Sequence, residues 1–183
     1  MRYRVPIVPT RDQLLATDRG LIAETFPTEL ATASQALTTS CIYFQSIGLK
    51  AGDIVTNIVS VVGTAGTATL AVYQGVYTSA GALAASTTNQ VNSLSSTGLK
   101  VTALAAAYTV PASGLYYICT LSSATTTNPA FAKGPSLFVA SAGPVGSGLK
   151  RGGIQTGQAT LPGTATIAAP AATTDWPFWF GVS

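Results

Sequence analysis

The sequence predicts an all-β fold: an antiparallel, jelly-roll-like β-sandwich that carries an extended N-terminal arm. Segments rich in β-branched and aromatic residues recur between residues 41 and 182, and about eight to ten of them can form strands. Clusters of Gly, Pro, Asn, Asp and Ser separate these segments at intervals of roughly 8–12 residues, as in sandwiches and barrels. No segment after residue 38 has the spacing of an amphipathic helix. We therefore expect residues 1–38 to form an arm and linker, and residues 39–183 to form the sandwich.

The first nine residues have the pattern of an extended arm. Their aromatic and aliphatic side chains alternate with arginines, so the two kinds would lie on opposite sides of a strand. The prolines at positions 6 and 9 remove backbone donors and confine such a segment to a sheet edge. We predict that the arm lies along a partner; a frayed chain end is the alternative.

A short helix is expected next, over residues 11–18. Thr10 and Gln13 have the spacing of a capping box, and Gly20 is suited to end the helix. Residues 31–39 are weakly patterned, as in a linker. The predicted partner-docking residues of the arm are Arg2, Tyr3, Arg4, Val5, Ile7, Leu14 and Leu15.

The strands of the sandwich are predicted from alternation and from the turns between them. Turn chemistry is clearest at residues 48–53 (GLKAGD), 75–81 and 111–114 (PASG). Residues 142–157 are glycine-rich and are expected to form a long exposed loop. The aromatic segment near the C-terminus is expected inside a sheet, beside an early strand. The predicted strands are 41–47, 53–62, 68–73, 82–86, 91–94, 101–110, 115–121, 136–141, 164–168 and 176–182.

The chain carries unusually few charges. Charged residues make up 8% of the sequence, against roughly 25% in an average soluble domain. Ser and Thr must therefore cover much of the surface, which suits a protein packed among neighbours in an assembly. The net charge is +3, but the lysines are scattered, so no nucleic-acid partner is expected. Lys150 and Arg151 stand together and could meet an acidic partner or form a solvated loop tip.

Two cysteines, Cys41 and Cys119, each fall in an apolar strand. We expect two buried thiols, with a single disulfide as the alternative. The N-terminal segment lacks the apolar stretch of a signal peptide, and no run of about 18 apolar residues predicts a membrane span. We expect a protein made in the cytoplasm.

The residue inventory argues against catalysis. The chain has no histidine, which is the commonest general base and a member of the Ser-His-Asp arrangement. Asp53 and Asp175 could meet as a carboxylate pair, but an aspartate in a turn and one at a strand end are the simpler interpretation. Two cysteines without histidine cannot close a zinc site. We therefore expect no catalytic residue, no bound cofactor and no metal ligand.

Several segments, in order, resemble a known family. They are Val-Thr-Asn-Ile at 55–58, the hairpin at 70–83, Tyr-Thr followed by Gly-Leu-Tyr-Tyr within 108–117, and the closing Asp-Trp-Pro-Phe-Trp-Phe-Gly-Val-Ser. Over residues 22–183 the chain is similar to small jelly-roll virion structural proteins of tailed bacteriophages, notably those infecting actinobacteria. Members of that family have Asp after the hairpin tyrosine, where this chain has Gln74 and Gly75. The resemblance implies a non-enzymatic capsid decoration, head-fibre or minor tail protein.

Three functions are compatible with these observations. The first is a virion surface or appendage protein, assembled in the host cytoplasm, attached by its arm to phage capsid or tail proteins and forming a homo-oligomer, most simply a trimer. The second is a receptor- or glycan-binding module of a tail tip or fibre that contacts a host surface glycan. The third is a structural domain of a bacterial surface layer. Candidate sugar-stacking residues for the second function are Tyr73, Tyr77, Tyr116, Trp176 and Trp179, although large aromatic residues are usually core.

Overall fold

The fold is an antiparallel β-sandwich, as the sequence predicts. The computed structural model describes residues 16, 19–67, 71–123, 127–134, 152–167 and 177–183. The strands are β1 Ala23–Glu24, β2 Ala33–Ala36, β3 Cys41–Leu49, β4 Ile54–Thr64, β5 Val72–Thr78, β6 Leu83–Ser86, β7 Gly98–Thr109, β8 Gly114–Ser122, β9 Ala130–Lys133, β10 Gly152–Gln155 and β11 Phe180–Val182.

The strands form two sheets that pack face to face. Sheet A has the order β1-β11-β4-β9-β2, with β7 paired along β4, and sheet B has the order β10-β3-β8-β5-β6. One face of each sheet lines the sandwich interior, where buried aliphatic and aromatic side chains of both sheets pack together. Among them, Phe178 and Phe180 pack against Phe131 at ring-centroid distances of 6.3 and 5.9 Å. The closing aromatic strand thus lies between β1 and β4 inside a sheet, as predicted.

The boundary between arm and sandwich lies earlier than the predicted position after residue 38. Strand β1 pairs with β11, and β2 pairs with β9, so both are integral to sheet A. The expected linker at 31–39 therefore contains a strand. It escaped detection because Ala33–Ala36 is short and carries only one partly buried residue, Gln35. Ala16 is helical, and the rest of the helix expected at 11–18 lies outside the described residues.

Three predicted elements differ from the structure in its body. Residues 91–94 form turns, although Leu94 is 1% exposed and packs in the interior. Residues 164–167 contain a single bridge, Ala82↔Thr164, in place of the expected strand. Gly75, expected in a turn, lies within β5, and the turn begins only after Thr78. The strand expected at 136–141 lies outside the described residues.

The glycine-rich segment expected to be an exposed loop contributes a buried strand. Gly152–Gln155 pairs with β3, and an added Cβ at Gly152 would lie 2.7 Å from the carbonyl oxygen of Phe44. The absence of side chains therefore permits close packing here, whereas the sequence suggested only flexibility. Residues 142–151 of the expected loop lie outside the described residues.

Sheet B is apolar on its outer face as well as its inner face. Along β3, Tyr43 and Ile47 point into the interior, whereas Ile42 and Phe44 belong to a second cluster on the outside. The segment 156–167 covers this second cluster; Ala165 is buried in it, and partly buried Leu161 and Ile167 pack against it. Chain from beyond β10 thus forms a third layer over sheet B.

The outer face of sheet A is partly covered in the same way. Leu21 and Trp179 bury Val59 of β4, and the partly buried Phe26 and Ala31 pack against them. This cover is supplied by residues around β1 and by Trp179, which precedes β11. Among the described residues it ends at β4, and none of its side chains lies over β7.

Within the described part of the chain, no helix is long and apolar enough to cross a membrane.

Candidate functional site

The predicted docking residues of the arm, Arg2, Tyr3, Arg4, Val5, Ile7, Leu14 and Leu15, lie outside the described residues. The same holds for Lys150, Arg151, Asp175 and Trp176. Asp53 is described and has the expected turn role: its carboxylate accepts a hydrogen bond from the backbone N–H of Lys50 at 2.8 Å.

Trp179 is an anchor of the fold. Its side chain is 3% exposed, and its indole N–H donates to Glu24 Oε2 at 3.0 Å. The same carboxylate oxygen accepts from the hydroxyl of Thr28 at 3.0 Å and lies 3.4 Å from Arg19 Nη1. Arg19 also pairs with Glu29. This charged cluster fixes residues 19–30 over sheet A, and it removes Trp179 from the candidate sugar-stacking residues.

Two tyrosines that were candidates for sugar stacking are also buried. Tyr77 is fully buried, and its hydroxyl donates to the carbonyl oxygen of Pro162 at 2.6 Å, which ties the cover segment to sheet B. Tyr116 is 6% exposed and donates to the carbonyl oxygen of Ala112 at 2.9 Å. Tyr73 is partly buried and packs against the outer cluster of sheet B. None of these three rings stands free as a stacking platform.

The two cysteines are free and buried, as expected. In the β3–β8 register Cys41 is opposite Ser122, whereas Cys119 is opposite Phe44, three residues further along β3. At about 3.3 Å per residue this offset separates the cysteines by more than a disulfide can span. Burial raises the pKa of both thiols above the ordinary value, so both are poor nucleophiles. No group of three His, Cys, Asp or Glu side chains in the described ranges is arranged to hold a metal ion.

A buried polar network joins the two sheets at Gln74. This side chain is fully buried on β5, and its Nε2 donates to Ser60 Oγ on β4 at 3.3 Å. The hydroxyl of Thr102 on β7 lies within hydrogen-bonding distance of Gln74 Oε1 and 2.9 Å from the carbonyl oxygen of Ile58. Thr87 Oγ1 accepts from the backbone N–H of Gln74 at 3.1 Å. The sequence showed Gln74 as a departure from the resembled family, but gave no signal of this bridging role.

The remaining unusual feature is a row of uncovered apolar side chains on β7. Leu99 is 64% exposed and Val101 is 60% exposed, and both point away from the interior. Three alanines at alternate positions, 103, 105 and 107, continue the row and are exposed. On the adjacent β4, Ile54 is 55% exposed. We call Ile54, Leu99, Val101 and these alanines the β7 row.

Comparison of the chain with models of protein families, with characterised proteins and with solved structures found no match.

Proposed function

We propose that this protein is a non-enzymatic virion structural protein of a tailed bacteriophage. It serves as a surface decoration or as a head or tail appendage, and its N-terminal residues attach it to capsid or tail proteins. It is made and assembled in the host cytoplasm and acts as a homo-oligomer, most simply a trimer. The order of segments shared with small jelly-roll virion proteins supports this proposal.

The β7 row is the observation that carries the proposal. An antiparallel sheet with one face in water normally alternates apolar residues inside with polar residues outside. Strand β7 instead presents Leu99 and Val101 outward, both more than half exposed. A contiguous uncovered apolar surface on a chain with 8% charged residues is typical of a protein that meets neighbours. A virion lattice or appendage supplies such neighbours.

The side chains that could support glycan binding favour the structural role instead. Tyr77, Tyr116 and Trp179 are at most 6% exposed, and the hydroxyl or indole N–H of each has a hydrogen-bond partner within the fold. A sugar ring stacks on an exposed aromatic face, and these three residues offer none.

The experiment is quantification of the protein in purified particles of a phage that encodes it. We expect a fixed copy number for the full chain, and loss of the protein from particles when residues 1–10 are deleted. The thermal stability of the deletion variant should be nearly unchanged, because those residues precede the sandwich. Absence of the full-length protein from purified particles would refute the proposal, whereas normal incorporation of the deletion variant would refute only the role of the arm.

A further inference from the structure

Among the described residues, the β7 row is the uncovered end of an apolar face that is otherwise covered by the chain. In the β4–β7 register Val101 is opposite Val59, and Leu99 is opposite Val61. Val59 is only 5% exposed because Leu21 and Trp179 lie over it. The same apolar surface therefore runs from a covered strand to an uncovered one.

Strand β7 has few of the features that protect edge strands. Natural edge strands are short, carry Pro or charged side chains, or are covered by other chain segments. Strand β7 is 12 residues long, contains no Pro, and has Lys100 as its one charged residue. Lys100 lies at the start of the strand, where its Nζ is bonded to Ser96 Oγ at 2.7 Å. Among the described residues, the side of β7 away from β4 carries a single bridge, Thr87↔Leu104.

The chemistry of the row favours an identical surface as its occupant. The outward residues of β7, from Leu99 to Thr109 at alternate positions, carry no charge. Two or three copies can therefore bring the same row together around a symmetry axis without repulsion between like charges. A charged peptide, a nucleic acid or a lipid headgroup would find no complementary group there.

The size of the row indicates a weak contact. Twelve residues at about 3.3 Å each, on one strand about 4.8 Å wide, give a footprint of roughly 40 by 5 Å, or ~200 Å². A standard specific interface buries about 800 Å² on each partner. Association through this row alone should therefore depend strongly on concentration, and it should be favoured where copies are held close together, as on a particle.

We propose that the β7 row is the contact through which copies of this chain associate with one another. This inference deepens the proposed function, since it rests on the expected homo-oligomer and names its surface. Ala103 lies in the middle of the outward positions of β7, so it should come close to the same residue of a neighbouring copy. The N-terminal arm is then left to bind the particle.

The test is sedimentation equilibrium of the full chain over a range of concentrations. We expect the wild-type chain to associate, and the double variant Leu99→Lys with Val101→Lys to associate on the order of 100-fold more weakly, because each substitution is repeated in every copy. The matched control is Leu30→Lys. Leu30 is 51% exposed and ends a one-turn 3-10 helix, Thr28–Leu30, that lies before β2, so its replacement should not change association.

A second variant keeps the proposal falsifiable if the lysine variant does not fold. Ala103→Cys introduces the single exposed thiol among the described residues, since Cys41 and Cys119 are buried. Mild oxidation should give a covalent dimer, and Leu30→Cys should give much less. A wild-type chain that stays monomeric at every concentration, or a double variant that associates normally, would overturn the inference.

Three further outcomes separate this contact from other interpretations. If deletion of residues 1–10 abolishes association while the lysine variant retains it, the N-terminal segment is the contact and the β7 row is not. A monomeric protein that is nevertheless present in purified particles would overturn the inference and the expected homo-oligomer, but it would leave the proposed virion role intact. Association through the row by a protein absent from particles would do the reverse.

Discussion

Replacement of Gln74 by leucine should destabilise the sandwich more than any loss of packing volume explains. Leucine is similar in size to glutamine and is suited to the interior of a sheet, so the substitution tests the polar network itself. It removes the hydrogen bond to Ser60 and the contact with Thr102, both of which cross from sheet B to sheet A. Thr102 keeps the carbonyl oxygen of Ile58 as an acceptor, whereas the buried hydroxyl of Ser60 loses its partner.

The magnitude follows from these partners. Two lost hydrogen bonds contribute about 1 kcal/mol each, and one buried hydroxyl without a partner adds about 1–3 kcal/mol, so Gln74→Leu should lower the free energy of unfolding by about 3–5 kcal/mol. Adding Ser60→Ala to this variant should recover about 1–2 kcal/mol, because the stranded hydroxyl is then gone. Ser60→Ala alone should destabilise, since it leaves the amide of Gln74 without its acceptor.

Urea denaturation of the four proteins in this cycle measures the effect. The slope of unfolding free energy against urea should stay constant, which shows that the same surface is exposed in each case. A loss below about 0.5 kcal/mol for Gln74→Leu, or additive losses in the double variant, would refute the view that the network holds the sheets together.

Gln74→Glu tests the same site through pH. A buried carboxyl has its pKa raised above the unfolded value of about 4.3, because burial penalises the charged form. Relative to wild type, the variant should therefore be least destabilised below pH ~4, and the difference should grow as pH rises towards neutrality. Gln158→Glu is the matched control: its amide donates an exposed hydrogen bond to Thr156, so the difference from wild type should not grow in this way.

The other predictions concern two glycines, the buried thiol and phenol of one cysteine and one tyrosine, and one buried hydroxyl. Both Gly52 and Gly81 have positive φ, 89° and 85°, so replacement of Gly52 by alanine should lower the free energy of unfolding by ~1–2 kcal/mol. Gly81→Ala should lower it clearly more, because only there would a Cβ lie 2.3 Å from a backbone oxygen. Equal losses of unfolding free energy in urea denaturation would contradict this reasoning. Burial raises the pKa of the Cys119 thiol and of the Tyr77 phenol, so the unfolded chain loses these protons at a lower pH than the folded chain does. The free energy of unfolding should therefore fall as pH rises above ~8.5. A Tm that stays constant up to pH ~11 would argue against this effect. Thr120→Val should leave stability unchanged or raise it by about 1 kcal/mol, since this buried hydroxyl has no partner among the described residues; a clear loss on calorimetry would mean that the hydroxyl is satisfied.

The parts of the fold predicted correctly are the strands that can be recognised from their own local pattern of apolar residues. Strand β8 was the clearest from its sequence, Leu-Tyr-Tyr-Ile-Cys-Thr-Leu, and it lies at the centre of sheet B, where β3 and β5 flank it. The aromatic C-terminal strand was expected inside a sheet because Trp and Phe bury large areas, and β11 lies there. The buried thiols followed from the same apolar context.

The covers over the two sheets could not be predicted, because they depend on contacts between distant parts of the chain. Residues 156–167 have no strand or helix period, yet Leu161 and Ala165 meet a face formed by β3, β5 and β8. Residues 19–31 carry charges typical of a surface, yet Arg19 and Glu24 serve to hold Trp179 in place. In both cases the side chains give no sign of their partners until the register of distant strands is known.

Part of the candidate site could likewise be predicted from the sequence, and part could not. The size of the aromatic residues considered for glycan stacking already favours core positions, and Tyr77, Tyr116 and Trp179 are buried. The β7 row was missed because Val101 and the neighbouring alanines were assigned to an ordinary strand. Alternation identifies two faces, but here the face that is exposed is apolar too, so the pattern gives no indication of which face needs a partner.

The shortage of charged residues follows from this layered arrangement. A sheet with one face in water needs polar or charged side chains on that face, but both sheets here have apolar outer faces over much of their area. On sheet B, the segment around Ala165 covers that face, and on sheet A, Leu21 and Trp179 cover it as far as Val59. The outer face of strand β7 is apolar too, since Leu99 and Val101 point outward, but the described residues provide no cover there. The same burial of apolar surface that holds the intramolecular covers in place would therefore favour a neighbouring molecule on β7.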